Sequence, residues 1–166
     1  MSTPLPPWID PLDRRVTRWM AHHGIALLRI SLGVVFFWFG VLKFLPGLSP
    51  AQDLASRTIS ALSFGMVGPE VSVPMLAAWE CVIGLGLITG VWMRATLLLL
   101  FLQMFGTLTP IVLFPAEVFV RVPYAPTMEG QYIIKNLVLI SSAIVVGATV
   151  RGGVLIADRR HDAAGD

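Results

Sequence analysis

Four stretches of this sequence are long and apolar enough to leave almost no choice of environment. Residues 24–45, 74–93, 95–114 and 131–150 each approach the roughly 20 residues that, as a helix, cross about 30 Å of hydrocarbon. Lipid offers the backbone no hydrogen-bond partners, so each stretch must satisfy its own N–H and C=O groups as a helix. The expected fold is therefore all-α, a transmembrane four-helix bundle. Composition agrees: only 13% of the 166 residues are charged, against about 25% in an ordinary soluble domain.

The segments between the spans carry the remaining punctuation. Residues 1–23 are polar and proline-rich, with no signal-peptide pattern, so the first span reads as an uncleaved anchor. The long connection 46–73 contains SPAQDLASRTISALSF. Ser49 as an N-cap, Pro50 as the first helical residue and Asp53 in the first turn predict a short amphipathic helix at the interface, in the first outer loop. A turn at Arg94 separates the second and third spans. Residues 115–130 hold three prolines and should be irregular but fixed in shape. Residues 151–166 form a polar tail.

Arginine placement sets the expected orientation. Arg14, Arg15, Arg18, Arg94, Arg151, Arg159 and Arg160 fall on one side of four spans, and only Arg57 and Arg121 on the other. By the positive-inside bias both termini are cytoplasmic. This predicts a multi-pass protein of a bacterial plasma (inner) membrane.

Polar residues inside the spans are the informative ones, because a charge at the bilayer centre costs about 2.5–3.5 kcal/mol on insertion scales. They are Arg29, Lys43, Glu80, Gln103, Lys135 and Asn136. At about 1.5 Å per residue, Lys43, Glu80, Lys135 and Asn136 share one layer in the outer third of the membrane, with Arg29 at the opposite end. That layer is the expected ligand or pairing site. Glu80 should face the bundle and pair with Lys43 or Lys135; Gln103 and Thr107, one turn apart, either join the layer or bond to neighbouring helices. Lys43 and Arg29 each have a second reading, as side chains that simply reach to the nearer interface.

Helical phase adds packing faces. Arg29, Gly33, Phe36, Gly40 and Lys43 form one stripe, Asn136, Ile140, Ala143 and Gly147 another, and Glu80 and Gly84 share a face. Gly86 and Gly90 suggest a second close contact, since small residues let helices approach in lipid.

Several chemistries are excluded or disfavoured. The lone Cys81 cannot run dithiol exchange, which needs two thiols; it reads as a buried inert thiol. His22 and His23 are adjacent and give no metal-ligand spacing. Twelve basic residues against ten acidic are no nucleic-acid footprint. There is no haem-attachment, iron–sulfur or dinucleotide motif, so no intrinsic cofactor or metal is expected.

The stretches LLRISLGVVFFWFGVLKF, WECVIGLGLITGVWMRAT and PTMEGQYIIKNLVLISSAIVVG resemble the DoxX-like family of small four-helix bacterial membrane proteins. The shared features are the Arg29 and Lys43 pair, the Glu80 helix with its glycines, and Lys135–Asn136. The resemblance implies two kinds of role. Characterised relatives include the membrane subunit of a thiosulfate:quinone oxidoreductase. Others are linked to oxidative stress, sometimes with soluble redox enzymes as partners, and many have no known activity. The leading expectation is a non-catalytic scaffold or accessory subunit of a membrane complex. The alternative is a quinone-linked oxidoreductase subunit, with the polar layer bonding quinone oxygens. A transporter would need a homo-oligomer, since four helices rarely enclose a pore and no inverted repeat is visible. Whether the chain is an enzyme stays open at this point.

Overall fold

A computed structural model describes residues 9–45, 47–49 and 52–153. Within them the chain is almost entirely helical. Helix α1 is Asp10–Lys43, α2 is Gln52–Leu62, α3 is Pro69–Thr89 and α4 is Met93–Leu108. Two single turns follow, α5 (Pro110–Leu113) and α6 (Pro115–Val118). A two-stranded antiparallel ribbon, β1 (Phe119–Arg121) with β2 (Ala125–Pro126), leads into α7 (Met128–Thr149). Four units are long and apolar enough to cross a membrane: α1, α3, α4 with α5, and α7. The protein is an all-α four-helix membrane bundle, joined by a minimal β ribbon.

The helices run alternately up and down. Arg29 on α1 meets Leu87 and Ile88 on α3, while Lys43 meets Glu80. Trp79 Nε1 donates to the Leu99 carbonyl of α4 at 3.1 Å. Asn136 of α7 meets Thr107, and Gly147 lies against Leu97. One end of the bundle thus carries the start of α1, the α3–α4 turn and the end of α7. The other carries α2 and the α5–β2 segment.

Glycines decide how closely α1 and α3 pack. A Cβ on Gly33 would lie 2.9 Å from the Gly84 carbonyl, one on Gly40 would lie 2.8 Å from Cys81 Sγ, and one on Gly84 would lie 2.6 Å from Phe37 Cβ. Close approach of this kind is what holds helices together in lipid, where no hydrophobic force separates helix from tail. Gly86 makes the second contact, against Thr96 of α4. The bundle core is built from Leu32, Phe36, Ile83, Leu87, Leu97, Leu100, Met104, Ala143 and Val146. A smaller cluster of Leu54, Val118 and Ile133 seats a cap, formed by α2 and the α5–β2 segment, against α7.

In four places the helices run past or break within the segments read from sequence. Helix α1 begins at Asp10, well before residue 24, because Pro11 suits a first helical turn and Asp10 and Asp13 complement its dipole. Helix α3 begins at Pro69, so Pro74 lies inside it. There it removes one backbone donor without ending the helix. The third span breaks after Leu108, where Pro110 cannot donate to the next turn. Residues 115–130 are not irregular throughout: they form α6, the ribbon and the start of α7, with Thr127 Oγ1 accepting from the Gly130 N–H at 3.1 Å as an N-cap.

Helix α2 exists where the amphipathic pattern placed it, starting at Gln52; Pro50, read as its first residue, lies outside the described residues. It packs on the bundle. Leu54, Ser56 and Thr58 are buried, and Ser72 Oγ of α3 donates to Ser56 Oγ at 3.3 Å. The tail residues Arg159 and Arg160 also lie outside the described residues.

Candidate functional site

Three helices bring their polar side chains to one buried point. Lys43, the last residue of α1, places Nζ 2.7 Å from Glu80 Oε2. Gln103 of α4 donates from Nε2 to the other carboxylate oxygen, Oε1, also at 2.7 Å. Glu80 and Gln103 are each 8% exposed. A carboxylate buried this deeply is tolerated because both oxygens accept charge-assisted or amide hydrogen bonds. Glu80 is the twelfth residue of the 21-residue α3, so it lies midway along its helix although Lys43 ends its own.

A second polar contact continues across α4. Asn136 Nδ2 of α7 donates to Thr107 Oγ1 at 3.2 Å, and that hydroxyl donates to the Met104 carbonyl at 2.9 Å. Thr107 is one turn beyond Gln103, so the polar seam touches all four spans. Between its halves lies Gln103 Oε1, which is buried and has no hydrogen-bond donor among the described residues. A buried amide oxygen in that state is available to any hydroxyl or N–H that reaches it.

Lys135, grouped with this layer by depth, and Gly90, read as a packing partner of Gly86, both stand elsewhere. Lys135 is exposed on the outside of the bundle, with Nζ 4.9 Å from the Tyr132 ring centroid. It does not pair with Glu80. Helical phase explains the separation: Lys135 is turned about 100° from Asn136, and Asn136 is the one that faces α4. Gly90 is not part of a packing face with Gly86. It ends α3 in the left-handed conformation, at φ 75°, which glycine adopts without the steric cost of a Cβ.

Arg29 makes defined contacts at the opposite end. Its Nη1 donates to the Leu87 carbonyl and, at 3.1 Å, to the Ile88 carbonyl. These are among the last carbonyls of α3, which lack intrahelical partners and carry the negative end of the helix dipole. A Cβ on Gly90 would lie 2.8 Å from Arg29 Nη1, so the glycine also makes room for the guanidinium.

Sequence reasoning missed one ion pair in the cap. Arg57 of α2 donates from Nη1 to Glu117 Oε1 at 2.7 Å and from Nη2 to Glu117 Oε2, and its Nε lies 2.9 Å from Asp53 Oδ2. The Glu117 hydrogen bond holds the guanidinium above its ordinary pKa. The Asp53–Arg57 spacing of four residues is legible as a helical pair. Glu117 is not, because it is sixty positions away in sequence. An open cleft of about 780 Å³ surrounds this pair, lined also by Ser49, Gln52, Thr127 and Glu129. Among the described residues no group of three or more His, Cys, Asp or Glu side chains is placed to hold a metal ion.

These features define a class: a small multi-pass membrane protein whose four helices are tied by a buried charged layer and a glycine-packed seam. A family model, DoxX, matches residues 24–114, and the chain belongs to the DoxX family. The matched region contains Arg29, Lys43, Glu80, Gln103 and Thr107 and stops before α7. Comparison with curated proteins and with solved structures gave no match.

Proposed function

We propose that this chain is a non-catalytic scaffold or accessory subunit of a membrane complex, redox- or oxidative-stress-linked, in the plasma membrane of a bacterium, with both termini cytoplasmic. The observation that carries this reading is that both oxygens of Glu80 are engaged by other helices, one by Lys43 and one by Gln103. A carboxylate so engaged fixes the register of three helices, which is a structural task. The arginines support the orientation, since Arg14, Arg15, Arg18, Arg94 and Arg151 gather at one end of the bundle. Extraction in native lipid, followed by affinity recovery and mass spectrometry, tests the proposal. The expected result is one protein recovered in fixed stoichiometry with the chain. Recovery of the chain alone, in several mild extraction conditions, would overturn it.

One observation favours a second reading, a quinone-linked oxidoreductase subunit. Gln103 Oε1 is buried beside an ion pair, with no donor among the described residues. It would accept from the hydroxyl of a reduced quinone, with Glu80 placed to exchange a proton and Lys43 to balance an anion. Lys135 takes no part in this arrangement. Titration of the purified protein with a soluble quinone analogue distinguishes the readings: saturable binding that Gln103→Leu abolishes supports the second. Absence of binding to both forms excludes it.

A further inference from the structure

Among the described residues, none buries the first turns of α1. Leu28 still packs on the bundle core and Arg29 grips the end of α3, but residues 11–24 are all exposed and overhang the bundle. This overhang is two-faced. At about 100° per residue, Leu12, Val16, Trp19 and Met20 fall in one arc, and all four are at least 45% exposed. Arg14, Arg15, Arg18 and His22 fall in an adjoining arc. Asp10 engages Arg14, with Oδ2 2.8 Å from Nε; Arg15 and Arg18 make no ion pair among the described residues. Together with Pro11 and Trp19, the basic residues line an open cleft of about 580 Å³.

We propose that this cleft binds the headgroup of an acidic phospholipid from the leaflet that α1 enters. Length places it there. The 34 residues of α1 span about 51 Å at 1.5 Å per residue, whereas a bilayer with its headgroups is about 40–45 Å thick. Trp19 stands five residues before Gly24, roughly 7 Å outside the apolar stretch. That is the depth of the headgroups, where tryptophan is enriched. Arg15 and Arg18 follow within one further turn, and arginine side chains reach back along a helix to phosphate oxygens. The apolar arc beside the charges distinguishes a lipid from a free anion, because glycerol and the first methylenes have a surface to lie against.

The test uses the full chain in detergent, titrated with phosphatidylglycerol or phosphatidylcholine of the same acyl chains and read by native mass spectrometry. Each arginine near an acidic lipid surface contributes about fivefold in affinity. The Arg15→Gln/Arg18→Gln variant should therefore lose about 25-fold in phosphatidylglycerol affinity at one site, with phosphatidylcholine binding unchanged. Arg94→Gln, at the same end but off the cleft, should keep that site. Both substituted residues lie outside the packed bundle, so the variant's thermal melt should overlay the parent's and secure the comparison. Equal affinity for the two lipids would overturn the proposal, as would a double variant that keeps its preference. Full displacement of the lipid by millimolar inorganic phosphate would mark a free-anion site instead. Binding only of an acidic protein, with no lipid retained, would assign the face to a protein partner.

Discussion

The two cations of the α1 stripe, Arg29 and Lys43, lie fourteen positions apart and are satisfied in opposite ways. Arg29 donates to backbone carbonyls at the end of α3; Lys43 pairs with a side chain in the middle of the same helix. The first contact needs only that α3 end where it does. The second needs Glu80 in particular, and with it Gln103. The pair teaches that a charge inside a membrane bundle is tolerated either by a helix terminus, which any sequence provides, or by a dedicated partner. Only the second kind couples three helices.

That comparison can be broken most directly at Glu80. Glu80→Gln leaves the Lys43 ammonium without its counter-charge and should lower stability by about 3 kcal/mol or more, read as thermal unfolding in nanodiscs. Lys43→Met should cost about as much for the mirror-image reason. The double variant Lys43→Met/Glu80→Leu should recover most of the loss, since apolar replacement of a whole buried pair is often neutral. A double variant no better than the singles would show that the layer does more than hold charge against charge.

At the other end, Arg29→Gln should cost about 2 kcal/mol, the usual range for hydrogen bonds to a charged group. Because the partners are carbonyls, no buried ion is orphaned, so the loss should be smaller than that of Glu80→Gln in the same assay. The reverse order would mean that the helix terminus, not the dedicated partner, is the stronger tie. Gly40→Ala follows, at about 1–2 kcal/mol of overpacking, because its Cβ would meet Cys81 Sγ at 2.8 Å and Cys81 N at 2.9 Å. The smallest change is expected for Lys135→Gln, within about 0.5 kcal/mol as for exposed substitutions elsewhere. A large effect there would mean that the exposed lysine has a partner outside this chain.

The spans were legible because length and apolarity in lipid admit one answer. The stripe carrying Gly33, Gly40 and both cations was legible because helical phase is fixed. Depth without helical phase misplaces Lys135. Lys135 and Asn136 stand at nearly one level, yet adjacent residues point about 100° apart, and only Asn136 reaches Thr107. Gln103 was a contributor in sequence and is a full member of the layer in space, since nothing local in α4 reveals that Glu80 stands opposite. The early starts of α1 and α3 were hidden by polar residues and by Pro74, which hydropathy reads as ends although the backbone continues through them. The Arg57–Glu117 contact depends on how α2 and α6 fold over the bundle, a long-range fact with no local signature.

The position of Glu80 also bears on how the chain is made. Midway along α3, this carboxylate would enter hydrocarbon alone at a cost of about 2.5–3.5 kcal/mol. Its cationic partner belongs to the span synthesised just before it. Gln103, the second partner, is 23 residues further on. An α3 that enters lipid beside α1 meets Lys43 there, and that cost is offset by the pair. Gln103 of α4, being neutral, adds a hydrogen bond to a site whose charge α1 and α3 already balance between them.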